Sequence, residues 1–572
     1  MDGRVHLVLI VVVLLTTSLV RECQATAPTV SAPAGRFQGL RENDQKGQPY
    51  FAFRGIPYAK PPVGELRFAL PEPLPKLDGT FDATKNGHIC PVPDMFLKLA
   101  DGKQGKEDCL ILNVYAKVLG PSSPKKVIVF IHGGGYVIGS SMVFNAGTFV
   151  TTQDIVFVTI NYRLGVLGFL STEDQSSPGN FGLWDITLAL KWVKENIASF
   201  GGDPNDVTIS GESAGGSAVG YLSISPHTKG LFSKAYPQSG TPTSAFGKAL
   251  DPQKDALTLA ASVNCFEGDA SQKADSDTTR KVVECLRKLP LSNFTQYMAF
   301  RVDKTVFVPI VDKDFVPRPP LQLLQDDSYL EDVGFFKRSY LVGIDNNEVS
   351  IMKRPFGISI DMAIKSRDDI TDEEKAELLR KTLSSAYNFY ARSRMDAPVS
   401  TTIVDKIVNW YDRRYGDDTL AMISSDLNFE IPTFDFIDAA SRGRDTKVWL
   451  FHFNHFPRFM KGKEKGIVHG LDLCYWFDLS VERVEELFRF GMDGTMGMDD
   501  EDLDLKSRLS KLIADFTKTG SADWPQYNTE DMKYLDFKPR AEVRQGLEMD
   551  KRRFWLEELT ESVPEKHVHT EL

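Results

Sequence analysis

What this 572-residue chain has little of narrows its chemistry early. It holds only 6 Cys, with no Cys-x-x-Cys and no His-x-x-x-His spacing, so a zinc site has no ligand framework and no metal is implied. Lys and Arg number 67 against 78 Asp and Glu, a net charge of −11 with no basic run, which argues against a nucleic-acid partner. The glycine run at 133–135 is not followed by Lys-Ser/Thr, so a phosphate loop is excluded. No apolar stretch reaches the ~20 residues that span a bilayer, and no internal repeat or long low-complexity segment suggests a solenoid or a disordered chain.

What is present fits one large folded unit. Apolar residues make up 42% and charged residues 25%, the balance of a globular chain with a sizeable core. The amino end is read as a cleaved signal peptide covering residues 1–27: Arg4 supplies the positive charge, Leu7 to Val20 the apolar run, and Ala25-Thr26-Ala27 the cleavage site. Residues 28–568 are then the folded domain, made in an oxidising lumen. Cys23 leaves with the signal. Cys90 and Cys109 bracket one polar segment, Cys265 and Cys285 another, and two short disulfide loops with Cys474 left over is the economical pairing. Asn293-Phe294-Thr295 is the glycosylation sequon.

Along the chain, Phe51 to Phe68 carries Gly55, Pro57, Pro61, Pro62 and Gly64, and reads as a packed irregular loop. Val127 to Ile131 and Ile155 to Ile160 are continuous apolar runs, as in parallel strands buried on both faces. Leu183 to Ile197 repeats at helical spacing, and Ser339 to Gly343 and Lys447 to Phe453 supply later strands. The alternation predicts an α/β sheet with right-handed crossovers. The charged segment from about Lys248 to Leu330 reads as a loop-rich insertion. A long amphipathic helix around Glu373 to Tyr390 is expected to help cap the sheet's carboxyl edge, where such sheets bind ligands.

The chain is organised around Gly211-Glu212-Ser213-Ala214-Gly215. Val207 to Ile209 reads as a buried strand before it, and Ala214 to Leu222 as a helix after it. A serine in so sharp a strand-to-helix turn presents a strained, exposed hydroxyl, and flanking glycines remove side chains that would clash. A serine hydroxyl is a weak nucleophile at neutral pH and needs a base with an orienting acid. With only 9 His the search is short. His469 lies in a glycine-flanked loop after a strand; His132 is a weaker candidate because it abuts three glycines. The acid should precede the base, and both Glu348 and Asp345 stand near a strand end. The backbone N–H groups of Gly134, Gly135 and Ala214 are placed to meet on a developing oxyanion.

These motifs together resemble the carboxylesterase/cholinesterase family, the type-B esterases of the α/β-hydrolase fold. The resemblance runs through Phe53-Arg-Gly-Ile-Pro-Tyr-Ala-Lys-Pro-Pro, Glu107-Asp-Cys-Leu-x-Leu-Asn, His132-Gly-Gly-Gly and Asn161-Tyr-Arg-Leu-Gly165. It continues with Phe200-Gly-Gly-Asp-Pro-Asn205, Gly211-Glu-Ser-Ala-Gly-Gly216, Gln238-Ser-Gly240, Phe516-Thr-Lys-Thr-Gly520 and Trp524-Pro525. It implies a mostly parallel central sheet flanked by helices, with helical and loop insertions capping an active-site gorge. It implies Ser213, Glu348 and His469 as the triad, with Glu348 rather than Asp345 as the acid, and Glu212 and Ser239 close to the nucleophile. It implies the ion pairs Arg67–Glu107 and Arg163–Asp185 and the disulfides Cys90–Cys109 and Cys265–Cys285.

The expected activity is hydrolysis of small uncharged esters, with no cofactor. Cholinesterases hold a cationic substrate on a Trp in the first disulfide loop, whereas the loop from Pro91 to Asp108 holds only Phe96 as an aromatic. Juvenile hormone esterases commonly carry Gln where Glu212 stands, which lowers that alternative without removing it. Adhesion members of the family lose catalytic residues that are all present here. The final residues 569–572, His-Thr-Glu-Leu, resemble a retrieval signal, so an endoplasmic-reticulum lumen protein read by a retrieval receptor is expected, with secretion the alternative.

Overall fold

The computed structural model describes residues 27–93, 105–295, 297, 307–346, 348, 371, 401–457, 469–477, 479 and 498–559. Residues 1–26 of the expected signal peptide, Phe96, the segment read as a helix around residues 373–390 and the terminal tail lie outside these residues.

A small three-stranded sheet pairs β1 (Thr29–Ala32) with β2 (Gly35–Gln38), with β5 (Thr80–Asp82) at its edge. The main sheet has eleven strands. Its first half comprises β3 (Leu40–Asn43), β4 (Pro49–Pro57), β6 (Ile111–Ala116), β7 (Lys125–Ile131), β8 (Val156–Ile160) and β9 (Gly202–Glu212). The second half comprises β10 (Lys234–Gln238), β11 (Ser339–Asp345), β12 (Lys447–Phe453), β13 (Lys533–Phe537) and β14 (Glu542–Gln545). The order is β14-β13-β12-β11-β10-β9-β7-β8-β6-β4-β3. Every pairing from β13 to β8 is parallel, and the flanking pairings are antiparallel.

Strand alternation creates two cores, one on each face of the sheet. Val127, Val129 and Ile131 of β7 join one core with Leu183, Ile186, Leu190 and Val193 of the helix Phe181–Asn196. Ile128 and Phe130 join the other, with Leu505, Leu509, Ile513 and Phe516 of the helix Asp500–Thr519. Strands buried on both faces are therefore apolar throughout, which is why they read as continuous runs.

Two expectations are corrected. Phe51 to Pro57 is not loop but the body of β4, paired antiparallel with β6. The register slips between Phe53 and Ile56, where Gly55 takes φ 65° and its N–H turns to the Asn113 side chain at 2.9 Å. A side-chain acceptor satisfies the bulge, so the glycine bends the strand without ending it. The segment from Lys248 to Leu330 is also more helical than loop-rich. It contains helices Pro252–Ser262 and Ser276–Arg287, the second capped by Asp275 on Thr278 N–H. Cys265–Cys285 ties these helices together, and Cys90–Cys109 closes the other short loop. Cys474 is free and buried.

The resemblance-implied ion pairs are formed as well. Arg163 meets Asp185 through two guanidinium nitrogens at 2.8 and 2.7 Å, both side chains buried, and Arg67 pairs with Glu107. Asn293 lies in a short helix, Ser292–Thr295, with Thr295 buried. Among the described residues no helix is long and apolar enough to cross a membrane.

Candidate active site

β9 ends at Glu212, and the helix Ala214–Ile224 begins one residue after Ser213. Ser213 is held at φ 58°, ψ −123°, a conformation an L-residue enters only when its surroundings compel it. The compulsion comes from both ends of the turn. Ser213 N–H donates to Gln238 O at 2.9 Å, and Ser213 O accepts from Ser217 N–H at 2.8 Å. The glycines are required by space: a Cβ on Gly215 would lie 2.0 Å from Ile131 O, and one on Gly211 would lie 2.5 Å from the Gly215 carbonyl.

The glycine loop after β7 packs directly on this elbow. A Cβ on Gly133 would meet Glu212 O at 2.6 Å and Ser213 Cβ at 3.0 Å. Gly134 and Gly135 take φ 107° and 61°, and Gly134 O accepts from the N–H groups of Val137 and Ile138. The loop that carries Gly134 and Gly135 thus touches the elbow from which Ala214 begins the helix. His132 does something else. Its ring stacks on Tyr162 at 4.5 Å, and burial pushes its pKa down to about 4, so it is a neutral packing residue.

β11 and β12 deliver the remaining groups. Glu348 lies three residues past the end of β11, and His469 follows β12 in sequence. His469 Nδ1–H donates to Glu348 Oε2 at 2.6 Å. The other Glu348 oxygen accepts from Asp345 N–H at 3.1 Å. Asp345 turns away from the imidazole, and its Oδ2 accepts from Gly470 N–H at 3.0 Å. The two acids near this strand end therefore divide the work: Glu348 takes the ring and Asp345 the backbone beside it.

On its other edge, His469 Nε2 faces Glu212 Oε1 at 3.1 Å. Three buried carboxyl groups, from Glu212, Glu348 and Asp472, act on this one imidazole, and a fourth, Asp345, holds the backbone of the next residue. Burial drives Asp345 and Asp472 well above the usual carboxylate range; the charge of Asp472 adds to the shift of Asp345, and the charges of Glu212 and Glu348 add to that of Asp472. Burial, with the charge of Glu348, also lifts Glu212 to about 7, against the pull of His469. His469 rises to about 9: burial opposes its charge, but Glu212 and Glu348 outweigh burial. Ser239 sits at φ 46° with its N–H on Gly343 O, fixing the end of β10 beside the elbow.

Sequence reasoning missed Asp472 and Phe429. Asp472 follows the histidine by three residues on a short 3-10 turn, a spacing that carries no chemical signature. Phe429 lays its ring on His469 with centroids 4.4 Å apart, although the two are far apart in sequence.

Comparison with known proteins matches the model described as "Carboxylesterase family" over residues 26–555. The chain belongs to the carboxylesterase family. As a family member it is 31% identical to carboxylesterase 3B of Mus musculus over 568 residues, covering 94% of this chain and 92% of that protein. Carboxylesterase 3 of Homo sapiens is 29% identical over 580 residues, covering 96% and 95%. Neuroligin-2 of Homo sapiens is also 29% identical, over 614 residues covering 95% of this chain and 69% of that protein. Family membership carries the α/β-hydrolase fold, in agreement with the sheet described above.

Proposed function

We propose that this carboxylesterase-family chain is an active serine carboxylesterase for uncharged esters. Ser213 Oγ attacks the ester carbonyl carbon while His469 takes its proton. Gly134, Gly135 and Ala214 N–H groups hold the oxyanion, and the proton passes to the leaving alcohol as the tetrahedral intermediate collapses. Water then releases the acid from the acyl-enzyme by the same route. Glu348 fixes the imidazole's tautomer and offsets its charge, and Glu212 offers a second carboxylate to the cation.

The observations that carry this reading are the 2.6 Å His469–Glu348 hydrogen bond, the 3.1 Å approach of His469 Nε2 to Glu212, and the strained serine that follows Glu212 at the tip of the elbow. Overall similarity does not select it, because the chain resembles neuroligin-2 as closely as carboxylesterase 3. That likeness favours a second reading, an adhesion or binding protein on the same fold. Stoichiometric labelling by a fluorophosphonate separates the two, since it requires an activated serine. Labelling is expected for the native chain and absent in Ser213→Ala. No labelling of the native chain would give the binding reading priority.

His469→Ala is expected to lower kcat by several orders of magnitude, as is Ser213→Ala, with the double variant scarcely worse than either. A substrate panel graded in acyl chain and alcohol then separates a broad esterase from a specialised one, the juvenile-hormone type included. The terminal His-Thr-Glu-Leu, in which Thr570 replaces the usual Asp, supports a proposed residence in the endoplasmic-reticulum lumen, with secretion the alternative.

A further inference from the structure

Beyond the triad, the fold carries two turns of π-helix, Asp426–Glu430 and Phe554–Glu558, joined through one buried cluster. Lys551, on the helix Met549–Arg553 that leads into the second turn, is almost wholly buried. Its ammonium donates to Asp426 Oδ1 at 3.0 Å and to both Glu430 oxygens at 3.1 and 2.9 Å. The Tyr411 hydroxyl donates to the other Asp426 oxygen, and Trp555 Nε1–H donates to that hydroxyl at 2.6 Å. The next residue, Arg552, pairs with Asp438 on the helix Ile431–Ser441 that continues from the first turn. The helix Met549–Arg553 thus grips the 426–441 segment at two consecutive positions.

A buried ion cluster is a poor device for stability alone, because desolvation of its members offsets most of their attraction. What it does supply is geometry. Asp426 and Glu430 are the first and last residues of the π-turn, so an ammonium that meets both ties the two ends of the turn to the helix Met549–Arg553. π-turns of this kind recur at functional sites. Within this one, Phe429 lies on His469, and the Asn428 side chain accepts Phe246 N–H at 3.1 Å. Phe246 in turn packs on Phe429 with ring centroids 5.8 Å apart.

We propose that Lys551 is a positioning residue for the active site. By gathering Asp426 and Glu430 it anchors, at both ends, the turn that lays Phe429 on the imidazole of His469. The helix Met549–Arg553 thereby sets the orientation of the base without touching substrate. This inference rests on His469 acting as the general base.

A double-mutant cycle between Lys551 and Phe429 tests it in the full chain. Lys551→Met should lower kcat about tenfold with KM within about twofold, and should do almost nothing further in a Phe429→Ala background. A merely structural lysine would instead lower thermal stability, leave kcat of the folded fraction intact and act independently of Phe429. Should Lys551→Met fail to fold, the variant Asp426→Asn/Glu430→Gln/Lys551→Met takes its place: it leaves no buried ion of the cluster unpaired, and Glu548, the remaining partner of Lys551, is exposed. A second readout needs no turnover. The Phe429 ring current should displace the His469 Hε1 resonance in a histidine-labelled sample, and the displacement should vanish in Phe429→Leu and shrink in the Lys551 variants. An unmoved resonance in the Lys551 variants, or multiplicative kcat losses in the cycle, overturns the proposal. If the native chain neither hydrolyses esters nor takes the fluorophosphonate, the hydrolase reading fails while the resonance still decides the clamp.

Discussion

One imidazole cannot neutralise four buried carboxyl groups, so protons must be shared around His469. The neutral ring is the base, and the anions of Glu212 and Glu348 hold the ring protonated to higher pH. Glu212→Gln removes one of those anions. The acidic limb of kcat/KM should therefore move to lower pH, by about one unit, when profiled against the native chain. An unmoved limb would mean that Glu212 does not bear on the base. The two acids at the end of β11 should also part company on substitution. Glu348→Gln offers the ring an amide that cannot hold the productive tautomer, and kcat should fall about 10⁴-fold. Asp345→Asn keeps an acceptor for Gly470 N–H at a site where burial already favours the neutral acid. Its stability by denaturant unfolding should stay within about 1 kcal/mol of native.

At the scale of elements, the elbow is specified by crowding rather than by attraction. Gly211 and Gly215 are the points where β9, its following helix and β7 approach too closely for any side chain. Gly215→Ala should cost about 3 kcal/mol in urea unfolding and abolish turnover, because the methyl must push against Ile131 O. Full stability in that variant would show that the turn relaxes and that its strain is not imposed by packing. The same principle explains why β4 is misread from sequence. Gly55 and Pro57 look like breakers in isolation, but Asn113 on the neighbouring strand accepts the freed N–H and the strand continues. Local composition carries no record of a partner contributed by another element.

At the scale of the whole molecule, two disulfides among the described residues close short segments of chain, with sequence separations of 19 and 20. Replacing either pair by Ser should lower stability by about 3 kcal/mol. Cys474, pushed up to about 12 chiefly by burial, should resist thiol reagents until the chain unfolds. Deleting residues 569–572 should move the protein into the medium at unchanged specific activity; equal export of intact and truncated chains would remove the retrieval role. The strands and helices of the sheet's centre were legible because double-sided burial writes itself as apolar runs, and helical burial as a 3.6-residue period. Ser213 was legible because a strained turn demands glycines at set positions beside it. The choice of Glu348 for the ring was not legible from spacing, since Asp345 stands three residues away and only the path of the chain beyond β11 decides which carboxylate faces His469. Asp472, Phe429 and Lys551 left no mark at all, because each acts on a residue distant in sequence or by a spacing without a signature. Chemistry that depends on neighbouring residues in the chain is written in the sequence, whereas chemistry that depends on which surfaces meet exists only once burial has brought them together.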